Sequence, residues 1–403
     1  MLKRVIQKEI ENALKISPSL LIAGARQIGK STIVQDMDRE YIVMDDITQL
    51  EAVNSDPQGY IRRITKPVTI DEIQKAPHLL TPIKLYIDRE RNNGDFLLIG
   101  SANVLNLKKS NESLAGRLIE LTMYPFSAKE KNQDIETNFV DMLFEGDISK
   151  LKATPSQTEK VKQFIIEGGY PLSFMMHSPK ERFLWFNSYI STYIERDIRS
   201  IGELRDIDNF IRFFNVLAPR SANILNKSNI ANDTKLNSAT IDNYISLLEK
   251  VYQIHLLKPY YENIGKTFIK SPKVYLTDSG LSSHILGIRD EKDLENSRYK
   301  GAIYETFVFA ELLKHITYSQ NIMEFFYYRT QDKKEIDFII KKQERILAIE
   351  VKSSYSVKQS DFKHIIDFQK RSVYEVMGLV FYHGEKVVGF GDNRFAVPFG
   401  CFL

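Results

Sequence analysis

From Leu20 to Phe126 short apolar runs alternate with polar stretches of helical period, the pattern of an α/β domain built on a mainly parallel sheet. Ser19-Leu20-Leu21-Ile22-Ala23, Tyr41-Ile42-Val43-Met44, Pro67-Val68-Thr69-Ile70 and Phe96-Leu97-Leu98-Ile99 predict buried strands, with Leu118 to Met123 a fifth. The runs are short and do not alternate strictly, which fits strands covered on both faces. Met1 to Leu14 mixes Lys and Glu with apolar residues; it predicts an amphipathic first helix and lacks the apolar core of a signal peptide.

Beyond Pro125 the periods lengthen. Residues 131 to about 200 are helical in pattern, and their aromatic run, Phe183, Trp185, Phe186, Tyr189 and Tyr193, reads as packing. Residues 207 to 280 predict three helices and a β-hairpin: Asp208 to Leu217, Ile224 to Ala231, and a third that Ser238 caps, with Ile241, Ile245 and Leu248 on one face. From about residue 290 the order is helix, three strands, helix, strand. The expected division is 1–130, 131–285 and 286–403.

Composition narrows the class. At 403 residues, 43% hydrophobic and 27% charged, the chain is that of an ordinary multidomain globular protein. It has no apolar stretch of membrane-spanning length, so no membrane partner is expected. A single cysteine, Cys401, excludes an internal disulfide and a cysteine-rich zinc site, and a cytoplasmic location is expected. Net charge is only +3, too small for a general electrostatic pull on nucleic acid, so DNA contact would need a local basic face.

The first chemical signal is Gly24-Ala25-Arg26-Gln27-Ile28-Gly29-Lys30-Ser31, a full G-x-x-x-x-G-K-[ST] loop between an apolar strand and a helix-compatible run that begins with Ser31 and Thr32. Its glycines let the backbone wrap phosphates, Lys30 neutralises the β and γ phosphates, and the Ser31 hydroxyl suits Mg²⁺. Val68-Thr69-Ile70-Asp71-Glu72 is an apolar strand ending in two acids: Asp71 to hold Mg²⁺ directly or through water, Glu72 to polarise the attacking water. A further strand ends in Gly100-Ser101-Ala102-Asn103, where Ser101, or else Asn103, could meet the γ-phosphate or its water. These residues predict an ATP hydrolase with ATP and Mg²⁺ as cofactors.

Together with Ser113-Leu114-Ala115-Gly116-Arg117 and Pro125-Phe126-Ser127, the motifs resemble the AAA+-like P-loop ATPase domain of a large prokaryotic family that couples it to a C-terminal domain of unassigned function. The resemblance implies that Arg117 senses or stabilises the γ-phosphate, in cis or from a neighbouring copy of a homo-oligomer. It also implies a winged-helix module around residues 207–280. There Asn237, Thr240, Asn243 and Tyr244 would approach DNA, helped by Lys258, Lys266, Lys270 and Lys273 on the wing.

At the C-terminal end, Asp337 is followed thirteen residues later by Glu350-Val351-Lys352, with Glu305 on the preceding helix. This resembles the PD-(D/E)xK motif of restriction-endonuclease-like α/β nucleases. Two carboxylates on facing strands suit Mg²⁺, so Asp337 and Glu350 are the expected metal ligands. Glu350 and Lys352 share one face of a strand, which lets Lys352 act on water or on charge at phosphorus. Lys358, Lys363 and Lys370 could guide a phosphate backbone. His255, His284 and Cys401 have no chemical partners in sequence and are read as structural. Two functions remain open: an ATP-dependent DNA-processing enzyme, and an ATP-gated switch that binds protein partners through an inactive nuclease-like fold.

Overall fold

The computed structural model describes residues 2–101, 114, 116–146, 148, 151–194, 206–261 and 271–403. Contacts divide them into two compact units, one drawn from 1–125, 188–205 and 246–253 and the other from 126–187, 206–245 and 254–403.

The first unit is a five-stranded sheet of order β2-β3-β4-β1-β5, formed by β1 Ser19–Ala23, β2 Glu40–Val43, β3 Val68–Asp71, β4 Phe96–Gly100 and β5 Leu118–Thr122. Every pairing is parallel. Strands β1, β3 and β4 are buried along their whole length, because helices cover both faces and no residue has a solvent side to alternate toward. Leu21, Ile70, Leu98, Ile83 and Val53 belong to one core. The first helix, Ile6–Ile16, buries Ile6, Ile10 and Ala13 as its period requires.

The second unit holds two sheets. β6 Asn223–Ile224, β8 Lys273–Leu276 and β7 Ile254–Leu257 form an antiparallel sheet of order β6-β8-β7 beside the helices Ile207–Leu217, Lys227–Thr234 and Ser238–Lys250. The helix expected from Ile224 begins later, at Lys227: Asn223 and Ile224 pair with β8 instead, and Asn226 caps the helix through the Asn229 N–H. The larger sheet, of order β13-β14-β12-β11-β10-β9, contains β9 Glu324–Arg329, β10 Glu335–Lys342, β11 Arg345–Val351 and β12 Glu375–Tyr382. Helices Lys300–Thr317 and Lys363–Gln369 complete the expected order. Two further strands, β13 Val388–Gly389 and β14 Arg394–Pro398, extend the sheet beyond the single strand expected after Gln369. Trp185 packs on Tyr170 at 5.5 Å and on Phe186 at 4.9 Å, in keeping with the packing role read for this aromatic run. No helix among the described residues is long and apolar enough to cross a membrane.

Candidate functional site

The loop after β1 is shaped by its glycines. Gly24 has φ +155°, and a Cβ there would lie 2.2 Å from the Met123 carbonyl oxygen and 2.8 Å from Ile28 Cδ1. Gly29 takes φ +93° and opens the helix Lys30–Val34. Ala25 and Ile28 are buried beneath the loop, Gln27 adopts φ +61°, and Thr32 is exposed. Arg4, which no sequence signal marks, braces the underside: its guanidinium donates to Ile28 O at 3.0 Å and to Tyr124 O at 2.6 Å. The Lys30 ammonium is held by Gly24 O at 2.8 Å and Ala25 O at 2.6 Å, so it already sits within the loop.

At the C-terminal ends of the parallel strands the acids arrive beside it. Ser31 Oγ donates to Asp71 Oδ2 at 2.6 Å, and the Tyr41 hydroxyl donates to the same oxygen. Asp71 Oδ1 accepts from the Glu72 N–H at 2.7 Å. Burial, and then the bond to Asp71, push the Tyr41 hydroxyl well above its ordinary pKa and keep it a donor. The donor set fits Mg²⁺: a hydroxyl and a carboxylate, both hard oxygen ligands, meet beside the phosphate loop. Glu72 takes a left-handed backbone (φ 56°, ψ 39°) and lies 3.8 Å from the Arg26 guanidinium. Gln74 donates to Glu72 and, at 2.9 Å, to Ser101 Oγ, tying the ends of β3 and β4 together.

Lys30, Ser31, Asp71, Glu72 and Ser101 are thus brought to one pole. Arg117 is not. It precedes β5, whose Leu118 pairs with Ser19 at the start of β1, so the length of a strand, about 13 Å, separates it from the loop. Its side chain pairs with Asp88. Parallel polarity therefore sets Arg117 apart from a phosphate held by the loop of the same chain. Asn103 lies outside the described residues. Tyr41 and Gln74 were missed; the only signal was strand parity, since Tyr41 pairs with Thr69 and so shares a face with Asp71.

The C-terminal acids also converge. Asp337 and Glu350 stand on the neighbouring strands β10 and β11, and Glu305 reaches in from the helix Lys300–Thr317. Asp337 Oδ2 accepts from the Val351 N–H at 2.8 Å, and the Lys352 ammonium lies 3.4 Å from Glu350. Lys273, expected on an exposed wing, is instead 1% exposed, drawn inward by carboxylates. Its ammonium is 3.0 Å from Glu305, 2.6 Å from Glu335 and 3.6 Å from Asp337. The Tyr275 hydroxyl donates to Glu305 at 2.6 Å. Burial and the Asp337 charge push Glu305 up to about 7 despite Lys273. Burial and Asp337 raise Glu350 well above the carboxylate range against the pull of Lys352. Among the described residues no group of three or more His, Cys, Asp or Glu is arranged to hold a metal. Asp337 thus stands between two ammonium groups, with Lys273 at 3.6 Å and Lys352 on the neighbouring Glu350.

On the helix Ser238–Lys250, Asn243 is exposed and Thr240 half-buried, while Asn237 is exposed just before it. Tyr244 is not available to DNA: its ring packs 5.4 Å from both Phe210 and Phe213, and its hydroxyl donates to Asp206 O. Lys258, Lys358, Lys363 and Lys370 are exposed, and Lys266 and Lys270 lie outside the described residues. Burial lowers both His255 and His284 to about 4, as befits neutral packed rings.

Residues 17–132 match the model of a family described as an AAA domain, and residues 158–292 and 300–402 match two families described as domains of unknown function. Among curated proteins the chain is 27% identical over 403 residues to an uncharacterized protein of Mycobacterium tuberculosis, covering 98% of this chain and 83% of that one. It is also 27% identical over 385 residues to an uncharacterized protein of Haemophilus influenzae, covering 87% and 85%. Among solved structures it is similar to a Walker-type ATPase of Pyrococcus abyssi, with 16% identity, TM-score 0.41, and 71% of this chain and 96% of that chain covered. A DNA replication initiation factor follows at 13% identity and TM-score 0.23, covering 61% and 86%. The AAA match, the parallel five-stranded sheet and the loop geometry agree on a P-loop ATPase domain that binds ATP.

Proposed function

We propose that this chain is a Mg²⁺-dependent ATPase working as a nucleotide-gated switch, organised as an ATPase domain (1–130), a winged-helix module (131–285) and a nuclease-like domain (286–403). The observation that carries the ATPase reading is the convergence of Lys30, Ser31, Asp71, Glu72 and Ser101 at one pole of the sheet. Lys30 exchanges the Gly24 and Ala25 carbonyls for phosphate oxygens. Ser31 and Asp71 hold Mg²⁺, which when bound neutralises charge on the β and γ phosphates. Glu72 orients and deprotonates the attacking water, and Ser101 meets the γ-phosphate or that water. Arg117 acts in this scheme from a neighbouring copy.

For the output, a specific observation favours a switch over a DNA-cutting enzyme. Cutting needs Asp337 and Glu350 open to Mg²⁺, whereas Glu305, Glu335 and Asp337 already surround Lys273, and Glu350 pairs with Lys352. In the switch reading the nuclease-like fold docks a protein partner. DNA contact through Asn237, Asn243 and Lys258 is the competing output, and salt-dependent duplex binding with Mg²⁺-dependent nicking is its signature. The test compares wild type with Lys30→Ala for ATP turnover and for nicking of duplex, single-stranded and branched DNA. Turnover should disappear in Lys30→Ala, and neither protein should nick. Near-normal turnover in the variant would sink the ATPase assignment; nicking by wild type that Glu350→Ala removes would restore the DNA-processing reading.

A further inference from the structure

Lys273 has an unusual setting for a lysine. Its side chain is 2% exposed, and its ammonium lies within 3.0 Å of Glu305 and 2.6 Å of Glu335, with Asp337 at 3.6 Å. Each carboxylate also has a second partner. Tyr275, two residues along β8 and so on the same face, donates to Glu305 at 2.6 Å. The Val351 N–H holds Asp337 Oδ2, leaving Oδ1 toward Lys273. Arg329 donates to the second oxygen of Glu335 at 2.8 Å. The cluster is built around a cation, and that cation is covalently part of the chain.

We propose that Lys273 is a resident cation that stands where a divalent metal sits in a nuclease-like fold, so that this carboxylate site already holds a cation and excludes metal. The proposal rests on the nuclease-like reading of residues 286–403. Two physical reasons make ammonium and metal mutually exclusive. Mg²⁺ draws its oxygens to about 2.1 Å in near-octahedral array, whereas an ammonium holds them at ordinary hydrogen-bond distance, so the two need different spacings. A divalent ion placed among the same carboxylates would also lie beside a buried positive charge with little water to screen it. The pairing of β8 with β6 and β7 fixes the Lys273 backbone beside these acids. Conversely, removing the ammonium leaves several carboxylates facing one another, a strong demand for an external cation.

Mn²⁺ binding, counted by electron paramagnetic resonance on the full-length chain, tests this. Asp71→Asn in every sample removes the carboxylate ligand of the nucleotide-site metal. That protein should bind no Mn²⁺ at sub-millimolar concentration. Adding Lys273→Met should tighten Mn²⁺ binding by at least about tenfold, and adding Glu305→Gln should abolish the gain. Lys273→Gln, which keeps hydrogen-bond donors without charge, carries the test if the methionine variant fails to fold, as judged by a cooperative melt of Trp185 fluorescence. Tight Mn²⁺ binding in the Asp71→Asn protein, lost on Glu350→Gln, would overturn the role of Lys273 while leaving the nuclease-like reading intact. No gain in a folded Lys273 variant would overturn the nuclease-like reading itself, since the freed carboxylates would still form no metal site.

Discussion

Replacing Glu72 by glutamine separates binding from chemistry at the nucleotide pole. The two side chains have the same shape, so the amide can keep an acceptor for Gln74 and leave the link from Gln74 to Ser101 (2.9 Å) in place. What goes is one negative charge 3.8 Å from Arg26 and the capacity to take a proton. The pair is partly exposed, with side chains 16% and 23% accessible, so its worth is that of a screened surface pair, about 1 kcal/mol or less. Losing the negative charge makes the loop more positive, and ATP should therefore bind as tightly as before or up to about fivefold tighter. Turnover should fall by about 10²–10⁴, the usual contribution of a positioned general base, equivalent to about 3–5 kcal/mol of barrier. Steady-state phosphate release at saturating Mg-ATP and titration with a fluorescent ATP analogue measure the two quantities. Turnover within about tenfold of wild type, with ATP bound normally, would refute the assignment of Glu72 as the group that activates water.

Two other perturbations probe different parts of the molecule. Gly24→Ala forces a Cβ to 2.2 Å from the Met123 carbonyl oxygen, so the loop must shift. The expected cost is about 1–3 kcal/mol of stability together with loss of ATP affinity, read by thermal unfolding and nucleotide titration; unchanged affinity would show that the loop need not keep this shape. His315 is lowered to about 3 by burial and then by the charges of Lys129 and Lys314, so the folded state stays neutral where the unfolded chain takes a proton. Its contribution is complete above the unfolded pKa of about 6.5 and falls away as pH drops toward 3, reaching a loss of about 2–3 kcal/mol by pH 4.5. Denaturant unfolding followed by Trp185, which lies in the same unit, should show wild type losing that much more than His315→Gln between pH 7 and 4.5; equal losses would contradict it.

The nucleotide pole was legible because its information is local. Strands β1, β3 and β4 are apolar runs that lead directly into the residues of the site, and parallel pairing carries those ends to one place: Ala23 beside Gly100, Ile70 beside Leu98. The same rule bears on Arg117, for which action in cis or from a neighbouring copy was left open. It precedes its strand, and in a parallel sheet a residue before a strand stands at the pole opposite the residues that follow theirs. Arg4 could not be found this way, since it braces Ile28 and Tyr124 from 24 and 120 residues away and sits in no motif. Tyr244 was misplaced for another reason: helical period gives the apolar face, but Phe210 and Phe213 on another helix turn an amphipathic tyrosine inward.

The two acidic sites differ in a property that spacing cannot convey. Around Asp71 the donors to its carboxylate are the neutral hydroxyls of Ser31 and Tyr41 and the Glu72 N–H. None of these three donors carries a charge, so a divalent cation that takes their place displaces no cation. Asp337 has the ammonium of Lys273 at 3.6 Å, while Lys352 serves Glu350 and Arg329 serves Glu335. Those acids are already compensated, and a metal would have to displace a buried cation rather than fill a demand. The cation beside these acids, Lys273, comes from another sheet, 32 residues ahead of Glu305. A D-x(n)-E-x-K pattern records the ligands; only the fold records which cation they hold.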